Sequence, residues 1–149
     1  MKGFKQERNK PKNKKKISIS SEKLLQDAVR FHAMNQIKDA QKNYELLIKI
    51  NSINTNILNN LAIIYKGQNR IQEAQKLLET AINDYPKSAD AYFNLSNLLK
   101  DQGYLEDAEK IGLKGIELNP NSQIAQNNLG IVFYIQKKYI EAEKYFKKS

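Results

Sequence analysis

An all-α fold, a right-handed superhelical solenoid of about four helix-turn-helix hairpins, is predicted by three observations on the 149 residues. The first is a period. Ala40, Ala74, Ala108 and Ala142 are each 34 residues apart, and the same offset relates Phe31, Tyr65, Leu99 and Phe133, then Ala28, Ala62, Ser96 and Gly130. The second is a helical rhythm, run twice in every unit: Leu58, Leu61, Ala62 and Tyr65 mark one helix face, and Ile71, Ala74, Leu78 and Ala81 mark the next. The third is punctuation. Asn35, Asn69, Gly103 and Lys137 form a column between the two blocks, and three of those four residues tolerate the left-handed conformation that ends a helix.

In chain order, residues 1–20 come first and hold eight lysines and arginines against Glu7, so most of the net charge of +9 lies there. A segment this basic and this poor in apolar residues reads as a disordered, solubilising leader. Lys10, Lys12, Lys14, Lys15 and Lys16 give it a second reading, loose contact with RNA, DNA or an anionic surface. The repeats are then placed at 21–54, 55–88, 89–122 and 123–149, the last incomplete, its second helix beginning near Tyr139. Pro86 and Pro120 stand where helices have just ended, and Ser88 or Asn121-Ser122 offer caps to the helices that follow.

The columns also carry a packing scheme. Ala62, Ser96 and Gly130 let the first helix of a hairpin approach Ala74, Ala108 and Ala142 on the second, while Tyr65, Leu99 and Phe133 are expected to fill the space towards the next unit. Gly112 and Gly115 interrupt the second helix of the third unit, where each glycine costs about 1 kcal/mol relative to alanine. That helix is expected to be the weak point. No polar helix closes the fourth unit, so Phe146 and the face around Ile140 and Tyr145 are expected to be partly exposed, as in a fragment of a longer protein.

Tyr92, Leu95, Ser96, Leu99, Ala108 and Pro120, with Leu129, Gly130, Phe133, Ala142 and Phe146, resemble the tetratricopeptide repeat pattern over residues 21–149. The leader is similar in part to that of certain bacterial proteins of this family. The resemblance implies a scaffold that binds protein or peptide on its concave face, and the composition points to a cytoplasmic setting. Among the departures, Asp27 stands in the leucine column and Ser52 in the proline column of the first unit.

Chemistry is excluded on the residues themselves. The chain has no cysteine, which removes disulfides and thiolate metal sites and suits a reducing compartment. His32 is the only histidine, with no second ligand or nucleophile in its column. No phosphate loop, HExxH motif or paired catalytic acids are present, no cofactor is implied, and no apolar run approaches a transmembrane length.

In hairpins of this family the column before the leucine points into the groove, and here it reads Gln26, Asn60, Asn94 and Asn128. A carboxamide carries donor and acceptor together, so a row of them can hold an extended peptide by its backbone. This resembles the asparagine ladder of O-linked glycosyltransferase repeats. Further groove candidates are Asn59, Phe93 and Asn127, then Ile63, Asn97 and Ile131, then Lys66, Lys100 and Tyr134. Leu25, Val29 and Asp90 occupy places where a carboxylate clamp would need lysine or asparagine. Alternatively, the array is the substrate-recruiting portion of a transferase whose catalytic domain lies outside this chain, or a nucleic-acid module acting through its leader.

Overall fold

The computed structural model describes residues 13–149, with side chains from Ser21 onward. Among the described residues there are eight helices and no strand: α1 (Asn13–Ala33), α2 (Ile37–Lys49), α3 (Thr55–Gly67), α4 (Ile71–Asp84), α5 (Ala89–Asp101), α6 (Leu105–Leu118), α7 (Gln123–Ile135) and α8 (Tyr139–Phe146). They pair as four hairpins, α1–α2, α3–α4, α5–α6 and α7–α8, and each hairpin packs its first helix on the second helix of the one before. The first helices α3, α5 and α7 also touch one another, so they form one wall of the solenoid. α1 is entered at Asn13, earlier than the boundary at residue 21, and the rest of the leader, with Lys10 and Lys12, lies outside the described residues.

Every hairpin turns by the same device. Asn35, Asn69, Gly103 and Lys137 have φ of 57°, 60°, 82° and 63°. The amide of the next residue then donates back five residues: Gln36 to Phe31, Arg70 to Tyr65, Tyr104 to Leu99 and Lys138 to Phe133, at 2.8–3.0 Å. This satisfies carbonyls that the helix end leaves open. Lys137 adopts the same turn although its Cβ is crowded there, at a cost of about 1 kcal/mol, because the hairpin on both sides dictates it. Helix starts are capped more variably. Asn54 accepts from the amide of Ile57 at 3.0 Å and Ser122 from that of Ala125 at 3.3 Å, whereas Ser88 turns its hydroxyl to accept from Thr55 at 2.9 Å.

The core runs unbroken through the four hairpins, with Ala40, Tyr44, Leu47, Leu61, Ala74, Leu95, Leu98, Ala108, Leu129 and Ala142 all buried. Each large side chain taken from water contributes about 1.5–3 kcal/mol. The stripe formed by Ile57, Leu61 and Ile64 on α3 is likewise buried. In α1 the same columns hold Lys23, Asp27 and Arg30, and the latter two form an ion pair at 2.8 Å.

One expectation is corrected by this packing. Tyr65 does not reach towards the following hairpin but back to the preceding one, donating to Glu45 of α2 at 2.9 Å. The glycines of α6 are not gaps: a Cβ on Gly112 would lie 2.8 Å from Ser96 Oγ, and one on Gly115 would lie 2.4 Å from the ring of Phe93. The Ser96 hydroxyl donates to the Ala108 carbonyl at 2.6 Å, and α5 and α6 make the most extensive contact of any helix pair. Gly130 plays the same part in α7, where the ring of Phe146 fills the space over it. Phe146 is partly exposed and Ile140 almost wholly so.

Gly115→Ala is therefore expected to destabilise the chain by about 1–3 kcal/mol despite alanine's better helix propensity, through overpacking against Phe93. Gly67→Ala, which meets nothing within 4 Å, is expected to stabilise it by about 0.4–1 kcal/mol. Urea unfolding of the two variants beside the parent checks both signs.

Candidate functional site

Because α3, α5 and α7 stand side by side, residues at equivalent turns of each face a common groove. Two recesses open along it. The larger, about 290 Å³, is lined by Asn56, Asn59, Asn60 and Ile63 of α3, Asp90, Phe93 and Asn94 of α5, and Ser122 and Ile124 at the start of α7. The second, about 250 Å³, is lined by Ala62, Ile63, Lys66, Leu78, Asn94, Asn97 and Leu98. Ile63 and Asn94 border both, so the recesses adjoin.

The three asparagines of the column are not equivalent. Asn60 donates its amide to the hydroxyl of Tyr44 at 3.1 Å. Tyr44 is wholly buried, and burial pushes its phenol above the usual value, with the Asn60 hydrogen bond offsetting part of the effect. Asn60 thus serves the fold while its carbonyl oxygen borders the groove. The second hairpin has Leu78 and the third Gly112 in the column of Tyr44. Accordingly the amides of Asn94 and Asn128 are held by no protein group among the described residues.

Asn59 is 95% buried rather than presented on the surface. Its amide donates to the Thr55 hydroxyl at 3.4 Å, and its carbonyl oxygen has no partner among the described residues. Phe93 lays its ring against the backbone of Gly115 and shows only part of itself to the recess.

The lysines depart from expectation. Lys66 at the end of α3 pairs with Asp101 at the end of α5 at 2.5 Å, and Lys100, its neighbour on α5, lies 3.3 Å from the same carboxylate. Burial alone would raise the Asp101 carboxyl, but the hydrogen bond and charge of Lys66, joined by Lys100, outweigh it and hold the group below its usual value. Both lysines are engaged by one carboxylate, and the three groups together keep a single positive charge. Gln26 and Asn127 are exposed on α1 and α7, and Tyr134 is exposed at the end of α7, where its ring meets Tyr139 edge-on at 5.7 Å. These three, and Asn128, border neither recess.

Sequence reasoning missed Asn56, Asp90 and Ile124 as lining residues. They precede Asn60, Asn94 and Asn128 by one helical turn, so tracing the asparagine face four residues further towards the helix start would have found them. His32 sits edge-on to Tyr44 at 6.2 Å, and the described residues contain no cluster of three or more metal-ligating side chains. No helix among them is long and apolar enough to cross a membrane.

A solenoid of paired helices with a groove along its first helices defines a helical-repeat scaffold. Tetratricopeptide repeat models match residues 31–92 and 67–129, and another matches 124–149, so the chain belongs to the tetratricopeptide repeat family. Among solved structures it is similar to MamA, with a TM-score of 0.77 and 23% identity over 90% of this chain and 81% of that one. A tetratricopeptide repeat protein from Parabacteroides merdae gives 0.73 and 23% over 87% and 52%. The O-GlcNAc transferase of Thermobaculum terrenum gives 0.78 and 19% over 87% of this chain and 26% of its own. At these identities the likeness is one of fold. No curated protein matches the sequence.

Asn60→Ala is expected to cost about 1–3 kcal/mol, because it strands the buried Tyr44 hydroxyl, whereas Asn94→Ala is expected to leave stability within about 0.5 kcal/mol. Equilibrium unfolding separates the two. Asp101 supplies a pH test. With its folded-state pKa below the reference 3.8, its contribution is present above that pH and is lost as pH falls through the folded value. Asp101→Asn is therefore expected to cost up to about 1 kcal/mol at neutral pH, the side chains being part-exposed, and the gap to the parent is expected to close in acid.

Proposed function

We propose that the chain is a non-catalytic protein-interaction scaffold that holds an extended peptide segment in the groove of α3, α5 and α7. One observation carries this reading: Asn94, at the junction of the two recesses, keeps a carboxamide with no protein partner among the described residues, where a peptide backbone would pass. Such an amide can donate to a backbone carbonyl and accept from a backbone N–H of one peptide unit. Asn59 borders the same recess, but its unpartnered oxygen is buried, so it stands outside the row. Asn128 extends the row to the fourth hairpin.

The ligand expected is close to neutral. Lys66 and Lys100 share the single negative charge of Asp101, and Asp90 in the larger recess brings these four groups to zero net charge, while Ile63, Phe93 and Ile124 offer apolar contact to alternate side chains of an extended segment. Cysteine-free composition suits a cytoplasmic setting.

The test is capture of unstructured peptides by the whole chain, beside Asn94→Ala/Asn128→Ala, with helicity compared by circular dichroism. Two hydrogen-bonding groups lost from a groove are expected to weaken captured peptides by about five- to a hundred-fold. Equal capture by the two proteins would refute the amide row.

A further inference from the structure

The outer side of the solenoid, formed by α4, α6 and α8, carries a regular device at two of its joints and lacks it at the one between them. Where the second hairpin meets the first, the Tyr65 hydroxyl donates to Glu45 at 2.9 Å, and the guanidinium of Arg70 lies 3.8 Å above the tyrosine ring. Gln41 donates to the same carboxylate at 2.7 Å. Where the fourth hairpin meets the third, Phe133 occupies the ring column, Lys138 lies 5.6 Å above it, and that lysine pairs with Glu109 at 2.6 Å. Each joint thus contains an aromatic ring, a cation over it and an acid on the preceding hairpin.

At the middle joint the acid is present and the other two are not. Gln75 donates to Glu79 at 2.8 Å, in the columns of Gln41 and Glu45. But the ring column holds Leu99, and the cation column holds Tyr104, which is 57% exposed. Among the described residues no hydroxyl or cation of the third hairpin reaches Glu79. The outcome is a recess of about 490 Å³ between α4 and α6. Its apolar walls are Ile82, Leu95, Leu99 and Ile111, and its rim bears Glu79 and Asp107 against Lys110, a net negative balance.

We propose that this recess is a binding site for a tyrosine side chain accompanied by a neighbouring cation, presented by a peptide of a partner protein. The ring lies on Leu99 and Ile111, its hydroxyl donates to the Glu79 carboxylate as Tyr65 does to Glu45, and the cation covers the ring at the acidic rim. The volume is that of a small-ligand site, and the lining is mixed, with Gln75, Glu79, Asn83, Asp107 and Lys110 around an apolar floor, which suits a ring that carries a hydroxyl beside a cation. The recess lies on the face opposite the groove and is independent of it.

The probe is N-acetyl-Tyr-Arg-amide, titrated into the whole isotopically labelled chain and followed by methyl NMR. Saturable shifts at Leu99, Ile82 and Ile111 with a dissociation constant of about 1–10 mM are expected. The affinity is expected to fall at least threefold in Glu79→Gln and threefold with N-acetyl-Phe-Arg-amide, roughly the loss of one hydrogen bond. Leu99→Tyr/Tyr104→Arg, which supplies ring and cation from the chain itself, is expected to abolish binding, and Asn94→Ala to leave it unchanged. Absence of shifts at about 10 mM probe, shifts confined to the groove, or equal binding by Glu79→Gln would overturn the proposal. Glu79 is exposed, so its variant folds and decides the question even where the double variant does not.

Discussion

The distance between the two helices of a hairpin sets the geometry of the whole solenoid. Small residues at Ala62, Ser96 and Gly130 leave room between the helices: Gly130 admits the ring of Phe146, and in the third hairpin the approach is near enough for Ser96 to hydrogen-bond the Ala108 carbonyl of the partner helix. That spacing fixes where the second helix presents its residues to the adjoining hairpin. A larger residue in these columns would push apart one pair and tilt every hairpin beyond it, because each stacks only on its neighbours. The inner wall of α3, α5 and α7 is therefore a product of the small-residue columns between the helices.

Within that frame, variation between the units does the specialised work. The same column carries Tyr44, Leu78, Gly112 and Phe146, and each choice changes the residue packed beside it. Tyr44 engages Asn60, which ties that amide to the fold. Gly112 admits Leu129 and Ser96 where a ring would stand. At the joints, Tyr65 with Arg70 and Phe133 with Lys138 close the outer seam, and Leu99 leaves it open. Function is thus written in the departures from the repeat rather than in the repeat.

This division explains what could be read from the sequence. Period, hairpins and turn residues were legible because they repeat: the left-handed turn was visible at Asn35, Asn69 and Gly103, and it extended to Lys137, whose side chain gives no such hint. The groove as a face was legible too, through helical spacing. What escaped were pairs between units. Asp101 neutralises Lys66 from 35 residues away, and Tyr44 holds Asn60 across a helix boundary. A column reading treats each unit alone, so it assigns both lysines and all the amides to the ligand. The direction of Tyr65 was misjudged for the same reason, since its partner Glu45 belongs to another repeat.

The ion pair of Asp27 with Arg30 on α1 bears on how copies of the chain behave together. Repeat solenoids have similar stacking surfaces at both ends of each unit, a geometry by which two molecules can continue one another into a filament. Here the stripe that would have to enter the joint is Lys23, Asp27 and Arg30 instead of Ile57, Leu61 and Ile64. Sealing those charges from water costs several kcal/mol per ion, far more than a single exposed pair returns. Burial of that stripe in a joint is therefore opposed by the molecule's own surface, whereas the corresponding stripe of α3 is built for it.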